Sequence, residues 1–395
     1  MKNLLFVAPA LPRPTGSGLQ MRAFMFLRDL ARERRVTLVA GSTVCPSACN
    51  RDRAALDGLV ARTVLLDFRP SRNPRLALRR IAGRLGLSSA PSWDWAEPTA
   101  AMKTVLRQLH GLDVALVHVS RLYMLPVAMA ALAPGSTAPI QLDLDDWESE
   151  TRLALAALAE KAEPALARRY RREAAALAEC ERAWLPRLSR VLVCSPSDRD
   201  AVARRHGLRD VEVAVNKVEV PPALPAPGTS LPPELLFVGR LGYLPNRDAV
   251  RFLVGEVLPR LRSKARLVVA GSGAPVSLRA SLLHSDVTLI DGPEDLEPLY
   301  ARARIALAPI RAGGGTRIKA LEAFAHGRPL VATAAAVAGL GLKADEHYLA
   351  AETGSEWVAA IEMLLADPAL QARLAEAAFA WVAENASMQE RRSGS

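Results

Sequence analysis

Short apolar runs alternate along this chain with stretches in which apolar residues return every three or four positions. Leu4–Val7, Val36–Ala40, Val64–Leu66, Asp113–Val117, Ile140–Leu144, Val191–Cys194 and Val211–Val215 read as strands buried in a sheet. Between the first two, Leu19, Ala23, Phe26, Leu27 and Leu30 share one helical face. The alanine-, arginine- and glutamate-rich stretch from Glu150 to Leu185 predicts helix, and Ser197 starts another that reaches His206. The rhythm resumes with strands at Leu235–Val238, Arg266–Ala270, Val287–Ile290, Ile305–Ala308 and Pro329–Ala332. Its helices are one from Arg247, with Val250, Leu253, Val257 and Leu261 on one face, then Leu296–Ala303, Ser355–Ala366 and Pro368–Glu384. Strand and helix in alternation predict an α/β class with parallel, doubly wound, Rossmann-like sheets.

The stretch Pro221–Pro233 interrupts this pattern with six prolines, one glycine and no charge, and reads as a linker. A chain of 395 residues also exceeds one ordinary core. Two domains are expected, 1–220 and 221–370, with a C-terminal helix over 371–395 free to pack back onto the first. No apolar run approaches the roughly 18–20 residues that span a bilayer. Met1–Val7 enters a strand directly, without the apolar region and cleavage site of a signal peptide, so the expected location is cytoplasmic. Cys45 and Cys49 stand without a second pair or a nearby histidine, which argues against zinc. Cys180 and Cys194 are expected as reduced structural thiols.

The net charge of +10 admits nucleic acid, an anionic membrane or a phosphorylated ligand as partner. Aromatics are only 5% and no nucleic-acid-binding signature is present, so nucleic acid is set aside. Arg69, Arg72, Arg75, Arg79, Arg80 and Arg84 interleave with Leu76, Leu78, Ile81 and Leu85. Such a segment suits peripheral contact with an anionic bilayer, the competing reading being a solvated surface segment.

The candidate chemistry lies where strands end. The loop Arg13–Gly18 carries Gly16, Ser17 and Gly18, a weak G-x-G, ahead of the first helix. His118 follows an apolar strand, with Ser120 and Arg121 beyond it; it reads either as a cleft residue or as a structural histidine. Asp143 and Asp145 could pair on a metal, but capping of the next helix by Asp145 or Asp146 is the favoured reading. The richest stretch is Ala308–Thr333. Gly313, Gly314 and Gly315 admit close backbone approach, and Thr316 opens a helix whose free N–H groups favour an anion. Arg317 and Lys319 add charge, Glu322 lies one to two turns on, and Gly327 ends the helix. Phosphates at one end and a carboxylate beyond suit a nucleotide diphosphate carrying a sugar. A flexible turn with solvated basic residues is the alternative.

Four runs carry a family resemblance: Phe6–Arg22, Leu142–Glu148, Phe237–Asn246 and Gly313–Val331. Together they resemble the family 4 glycosyltransferases of GT-B fold, in a branch similar to those of bacterial polysaccharide synthesis. The resemblance implies two Rossmann-like domains facing across a cleft, an acceptor domain first and a donor domain second. It implies retaining transfer from a nucleotide-diphosphate sugar, UDP-sugar ahead of GDP-mannose, with no required metal or other cofactor. The acceptor would be a glycan, a lipid-linked precursor or a small natural product. Arg240 would neutralise the donor diphosphate, with Gly315, Thr316, Arg317 and Ile318 offering amides to it and Glu322 holding the ribose. His118 would stand near the transferred sugar, making His118 and Arg240 the catalytic pair. Gly16 and Gly18 would approach the donor, Gly314 and Lys319 would line its site, and Ser17 and Arg121 would face the acceptor.

The sequence departs from the family pattern in two places. Gly314 stands where many members have a glutamate, and Pro245 and Asn246 stand where many have a lysine; Lys319 or Arg317 can replace that charge. Two other functions fit the same features: a GT-B sugar-nucleotide epimerase, and a catalytically silent nucleotide-sugar-binding protein.

Overall fold

A computed structural model of the protein describes residues 1–42, 55–68, 98–282, 286–314 and 317–387. Cys45, Cys49, the basic segment Arg69–Arg84, Gly315 and Thr316 lie outside the described residues. The chain forms two compact units, one of Met1–Val215 and one that carries almost all of the chain from Asn216 on.

The sheet of the first unit holds β1 (Lys2–Ala8), β2 (Arg34–Ser42), β3 (Arg62–Asp67), β4 (Val114–Ser120), β5 (Ile140–Asp145), β6 (Arg190–Val193) and β7 (Val211–Val213). Their order is β3-β2-β1-β4-β5-β6-β7 and every pairing is parallel. The order reverses between β1 and β4, the switch point at which doubly wound sheets open a crevice. Leu4 to Ala8 are all buried, as a central parallel strand covered on both faces requires. The helix Gly18–Ala31 covers one face with Ala23, Phe24 and Leu27. Its start is fixed by Gln20, whose Oε1 accepts from the Ser17 N–H (3.3 Å) and hydroxyl (2.9 Å).

The expected helix from Glu150 to Leu185 is two helices, Glu148–Ala159 and Pro164–Trp184, because Pro164 cannot continue the first and suits the start of the second. Capping by Asp145 or Asp146 does not occur: the helix cap is Trp147, which makes no side-chain cap bond. Glu181, from the second helix, does that work, accepting from Ser149 N–H (2.9 Å), Ser149 Oγ (2.6 Å) and Trp147 Nε1 (3.0 Å).

The second unit repeats the plan with β8 (Glu234–Val238), β9 (Arg266–Gly271), β10 (Val287–Asp291), β11 (Ala303–Ala308), β12 (Leu330–Ala332) and β13 (Leu349–Ala350). The order is β10-β9-β8-β11-β12-β13, again all parallel, with the switch point between β8 and β11. The core under this sheet gathers Leu235, Phe237, Leu253, Ile305, Val331 and Trp357. Pro368–Asn385 packs on the helix Ile318–Ala325 of this unit.

The proline-rich stretch is fastened down. The Arg328 guanidinium, 1% exposed, donates to Pro225 O (3.4 Å), Ala226 O, His326 O (2.8 Å) and Ala303 O (3.2 Å). Gly228 lies so close to Ala303 O that a Cβ there would clash with backbone. Among the described residues, no helix is long and apolar enough to cross a membrane.

Candidate functional site

The second unit brings most of the predicted donor residues to the carboxyl edge of its sheet. After β8 the chain turns through Gly239 and Arg240 into the helix Leu244–Phe252. Asn246 closes that turn, its Nδ2 donating to Arg240 O at 2.8 Å, which leaves the Arg240 side chain exposed. The neighbouring turn after β9 is zipped to it by Leu241 N–H to Ser272 O (2.8 Å). At the crossing, a Cβ on Gly271 (φ +154°) would run into Gly239 O, and one on Gly239 would meet Lys319 Nζ and the Asn246 amide. The glycines are demanded by close approach rather than by flexibility.

Lys319 reaches this crossing from the other side of the switch point. Its Nζ donates to Val238 O at 2.6 Å and stands 5.3 Å from the Phe237 ring centroid. Burial lowers its pKa to about 8, against the pull of Glu322. One turn on, Glu322 is raised to about 7 by burial, against the pull of Lys319. Both side chains are half-buried, so the edge carries an ammonium and a carboxylate shielded from bulk water but reachable.

The helix opens at Ile318, with Arg317 in the cap position, two residues later than the expected opening at Thr316. The Arg317 side chain is turned to Ala338 O, its Nε donating at 3.3 Å. Ile318 is buried and is the first residue of that helix. Gly313 adopts φ +126°, a conformation open to glycine, with Tyr243 Oη at the place a Cβ would press. Gly314 is half-buried; Gly315 and Thr316, expected to meet the phosphates, fall outside the described residues.

The predicted residues of the first unit lie in β4, just past its carboxyl end, and in the loop and helix start that follow β1. Gly16 (φ +125°) is exposed, Ser17 caps the first helix and Gly18 is that helix's first residue. β4 does not end at His118, as its polarity suggested, but continues to Ser120. His118 is therefore inside the sheet, 0% exposed, its ring 4.5 Å from Phe6 and 4.9 Å from Phe26. The Gln141 amide lies 3.0 Å from Nδ1, while Nε2 has no hydrogen-bond partner among the described residues. Burial, then Arg22, lowers its pKa to about 3, so the ring is neutral. With Gln141 donating to Nδ1, the ring hydrogen sits on Nε2, a buried donor.

Arg121 and Asp145 both take positive φ, +77° and +52°, at adjacent strand ends. Arg121 reaches Asp145 (2.6 Å) and Asp146 (2.9 Å). Glu148 accepts from Leu122 N–H at 3.1 Å and is pushed up to about 7 by burial. Arg22, whose role the sequence reading missed, donates to Asp143 through Nε (2.9 Å) and Nη2 (2.7 Å), with Asp145 at 3.5 Å. The carboxylates once weighed as metal ligands or helix caps are thus guanidinium partners. Only pairing across 121 residues identifies Arg22, and no local motif announces it.

Residues 232–367 match the family model described as glycosyl transferases group 1. Among curated proteins no relative matches. Solved structures match over nearly the whole chain. Sucrose-phosphate synthase from Thermosynechococcus elongatus superposes with a TM-score of 0.71 at 16% identity, covering 98% of this chain and 95% of that one. HepE of Anabaena in complex with UDP and glucose gives 0.65 at 14% identity, with 98% and 95% coverage. The fold is GT-B. TarM of S. aureus, a variant in complex with UDP and α-GlcNAc-glycerol among other ligands, gives 0.65 at 10% identity, with 98% and 97% coverage. In this GT-B chain the family match spans β8 to the helix Gly354–Ala366, so it contains Arg240, Lys319 and Glu322.

Proposed function

We propose that the protein is a retaining glycosyltransferase of the hexosyltransferase type. It would move a sugar from a nucleotide-diphosphate donor to a glycan, lipid-linked or small-molecule acceptor. The observation that carries this reading is the pairing of Lys319 and Glu322 one turn apart beside the Gly239 crossing. An ammonium for phosphate and a carboxylate for sugar hydroxyls stand at the edge where doubly wound folds bind nucleotides. The family match over the same residues supports it. UDP is favoured over GDP because HepE and TarM have been seen with UDP.

On this reading the nucleoside diphosphate leaves with growing negative charge, and preorganised donors lower that barrier. Lys319 and Arg240 supply charge, and the backbone amides of Arg317 and Ile318 supply donors at the helix start. Glu322 accepts from the ribose hydroxyls and orients the nucleotide. No metal is invoked, since the cationic side chains answer the diphosphate. With no protein nucleophile assigned, the acceptor attacks on the face the diphosphate leaves, and the leaving phosphate takes the acceptor proton. His118, a neutral ring buried beside Arg22 and Gln141, is assigned to the side of the transferred sugar. Ser17 and Arg121 are assigned to the acceptor side of the first unit, and Gly16 and Gly18 to the approach of the donor.

A panel of nucleotides and nucleotide sugars tests this by thermal shift, with donor hydrolysis followed by mass spectrometry. Stabilisation by UDP above GDP and ADP is expected, with slow release of the sugar. No shift with any nucleotide removes the donor assignment. Epimerised donor without acceptor would favour the epimerase, and binding without turnover a silent binding protein.

A further inference from the structure

The loop that follows β11 is tied along the helix Leu244–Phe252 by contacts the donor reading does not use. Arg311 donates twice to the Asp248 carboxylate, Nε to Oδ2 at 2.8 Å and Nη2 to Oδ1 at 2.6 Å, so the fork is bidentate. Its guanidinium also lies 5.4 Å from the ring centroid of Phe252, one turn further along the same helix. Two residues on, Gly313 passes the start of that helix: a Cβ there would stand 3.3 Å from Tyr243 Oη and 3.7 Å from Pro245 Cγ. The root of the loop is fixed from just past β12, where Thr333 Oγ1 donates to Ile310 O at 2.5 Å.

Global stability does not account for this fork. The Arg311 side chain is 43% exposed and that of Asp248 19%, and an ion pair so open to water adds little to folding. Its effect is local. Arg311 is the last charged residue before Gly313, Gly314 and Gly315, whose backbones have more freedom than any other residue type. Ordering such a segment costs free energy, and the cost falls on ligand binding if the loop is loose beforehand. The fork settles that ordering before a ligand arrives. It also ties the loop to the turn that carries Arg240, since Asn246 of the same helix bonds to Arg240 O at 2.8 Å. With Asp248 balancing its charge, the Arg311 guanidinium offers little net attraction to an anion of its own.

We propose that the Arg311–Asp248 fork is a clamp that holds the glycine loop on the helix Leu244–Phe252, and so raises the affinity of the donor edge for phosphate. This inference rests on the diphosphate reading of that edge. Arg311 and Asp248 are positioning residues in it; they touch no substrate and act through the backbone of the loop.

The test is calorimetric titration of the full chain with UDP and with uridine, beside a thermal melt of each variant. Wild type should prefer UDP. Arg311→Met should narrow that preference about fivefold, with uridine binding within about twofold of wild type and the thermal midpoint almost unmoved. Asp248→Asn should do the same, and the double variant should lose no more than either single one, because both act through one contact. A preference left at its wild-type value in Arg311→Met overturns the proposal, as does an equal loss of uridine and UDP. So does weaker UDP binding in Arg311→Met with unchanged or tighter binding in Asp248→Asn, since that pattern belongs to an arginine that meets the phosphate itself. Should Arg311→Met fail to fold, Asp248→Asn carries the test alone, because it removes the charge and keeps the shape. Lys319→Met separates the two layers. If it removes the preference while Arg311→Met and Asp248→Asn leave it intact, the clamp falls and the diphosphate reading stands. If wild type binds UDP no more tightly than uridine, both fall.

Discussion

Replacing Lys319 by methionine separates charge from shape at the donor edge. Methionine keeps a straight stem that can lie on Phe237, so the packing beneath is retained. What disappears is the ammonium, with its 2.6 Å bond to Val238 O and its place 5.3 Å from the aromatic ring. For the empty protein these losses are worth about 1.5–3 and 0.5–1 kcal/mol. They are opposed by the release of the desolvation penalty that already lowers Lys319 to about 8. The net change in stability should therefore stay within about 1–2 kcal/mol. Binding should respond more. A charge-assisted bond to phosphate contributes about 1.5–3 kcal/mol, so the Kd for UDP should rise roughly tenfold to a hundredfold. Calorimetry near neutral pH and at fixed salt measures this, and uridine is the control because it has no phosphate for Lys319 to meet. Uridine affinity should hold. Lys319→Arg should not restore UDP binding, because Gly239 and Asn246 crowd the Nζ position and leave no room for a planar guanidinium. A Kd for UDP within about threefold of wild type, in a folded Lys319→Met protein, would sink the assignment. So would an equal loss of uridine.

Nucleotide affinity should also depend on pH with two limbs. Glu322 must be ionised to accept from hydroxyls, and with its pKa raised to about 7 by burial, UDP affinity should fall as pH drops through that value. Lys319 must stay protonated, and with its pKa lowered to about 8, affinity should fall again above it. Titration of UDP binding against Glu322→Gln isolates the acid limb from the titration of UDP itself, and an unchanged limb in that variant excludes Glu322 as its source. Arg328→Met should lower the thermal midpoint by removing about 3 kcal/mol or more, since several buried carbonyls lose a charged donor; chemical denaturation measures it. Gly271→Ala should cost about 2–4 kcal/mol by strain at φ +154° and by overlap with Gly239 O, and wild-type stability in that variant would contradict the crossing geometry. Arg22→Met should cost about 3–5 kcal/mol by stranding Asp143, and Asp143→Leu in the same chain should recover part of it in denaturant titrations.

The parallel strands were readable because a strand buried on both faces must be apolar throughout, and Leu4–Val7 or Leu235–Val238 leave no other reading. Misreadings fell where polar residues are buried. His118 and Ser120 continue β4 on its polar-looking side, so the strand runs three residues past Val117. Asp143 and Asp145 resembled ligands or caps because their partners, Arg22 and Arg121, come from other elements. The alanine-rich propensity of 150–185 outweighed Pro164, although a single proline is enough to divide a helix. The glycine-rich stretch Ala308–Thr333 suggests phosphate chemistry in the sequence, and the nucleotide titrations are its test.

On the proposed reading, the departure at Pro245 and Asn246 leaves the donor edge without a lysine there, and the geometry of the turn accounts for it. Helix Leu244–Phe252 begins at those residues, Pro245 where its missing N–H costs nothing, Asn246 bonding back to Arg240 O. Both are 5% exposed or otherwise buried and stabilise the turn itself, so a lysine at either place would lose the cap or the helix start. Lys319 brings its ammonium to Val238 O, at the root of that same turn, from the helix that also carries Glu322. On the proposed reading the phosphate charge and the ribose carboxylate then sit on one rigid element, three residues apart. Their spacing no longer depends on the loop after β8. Restoring a lysine at Asn246 should therefore not rescue Lys319→Met: it would free Arg240 O from its cap while placing the new charge on a loosened turn. UDP titration of the Lys319→Met/Asn246→Lys double variant measures this, and recovery of wild-type affinity would show that the turn, rather than the helix, positions the charge.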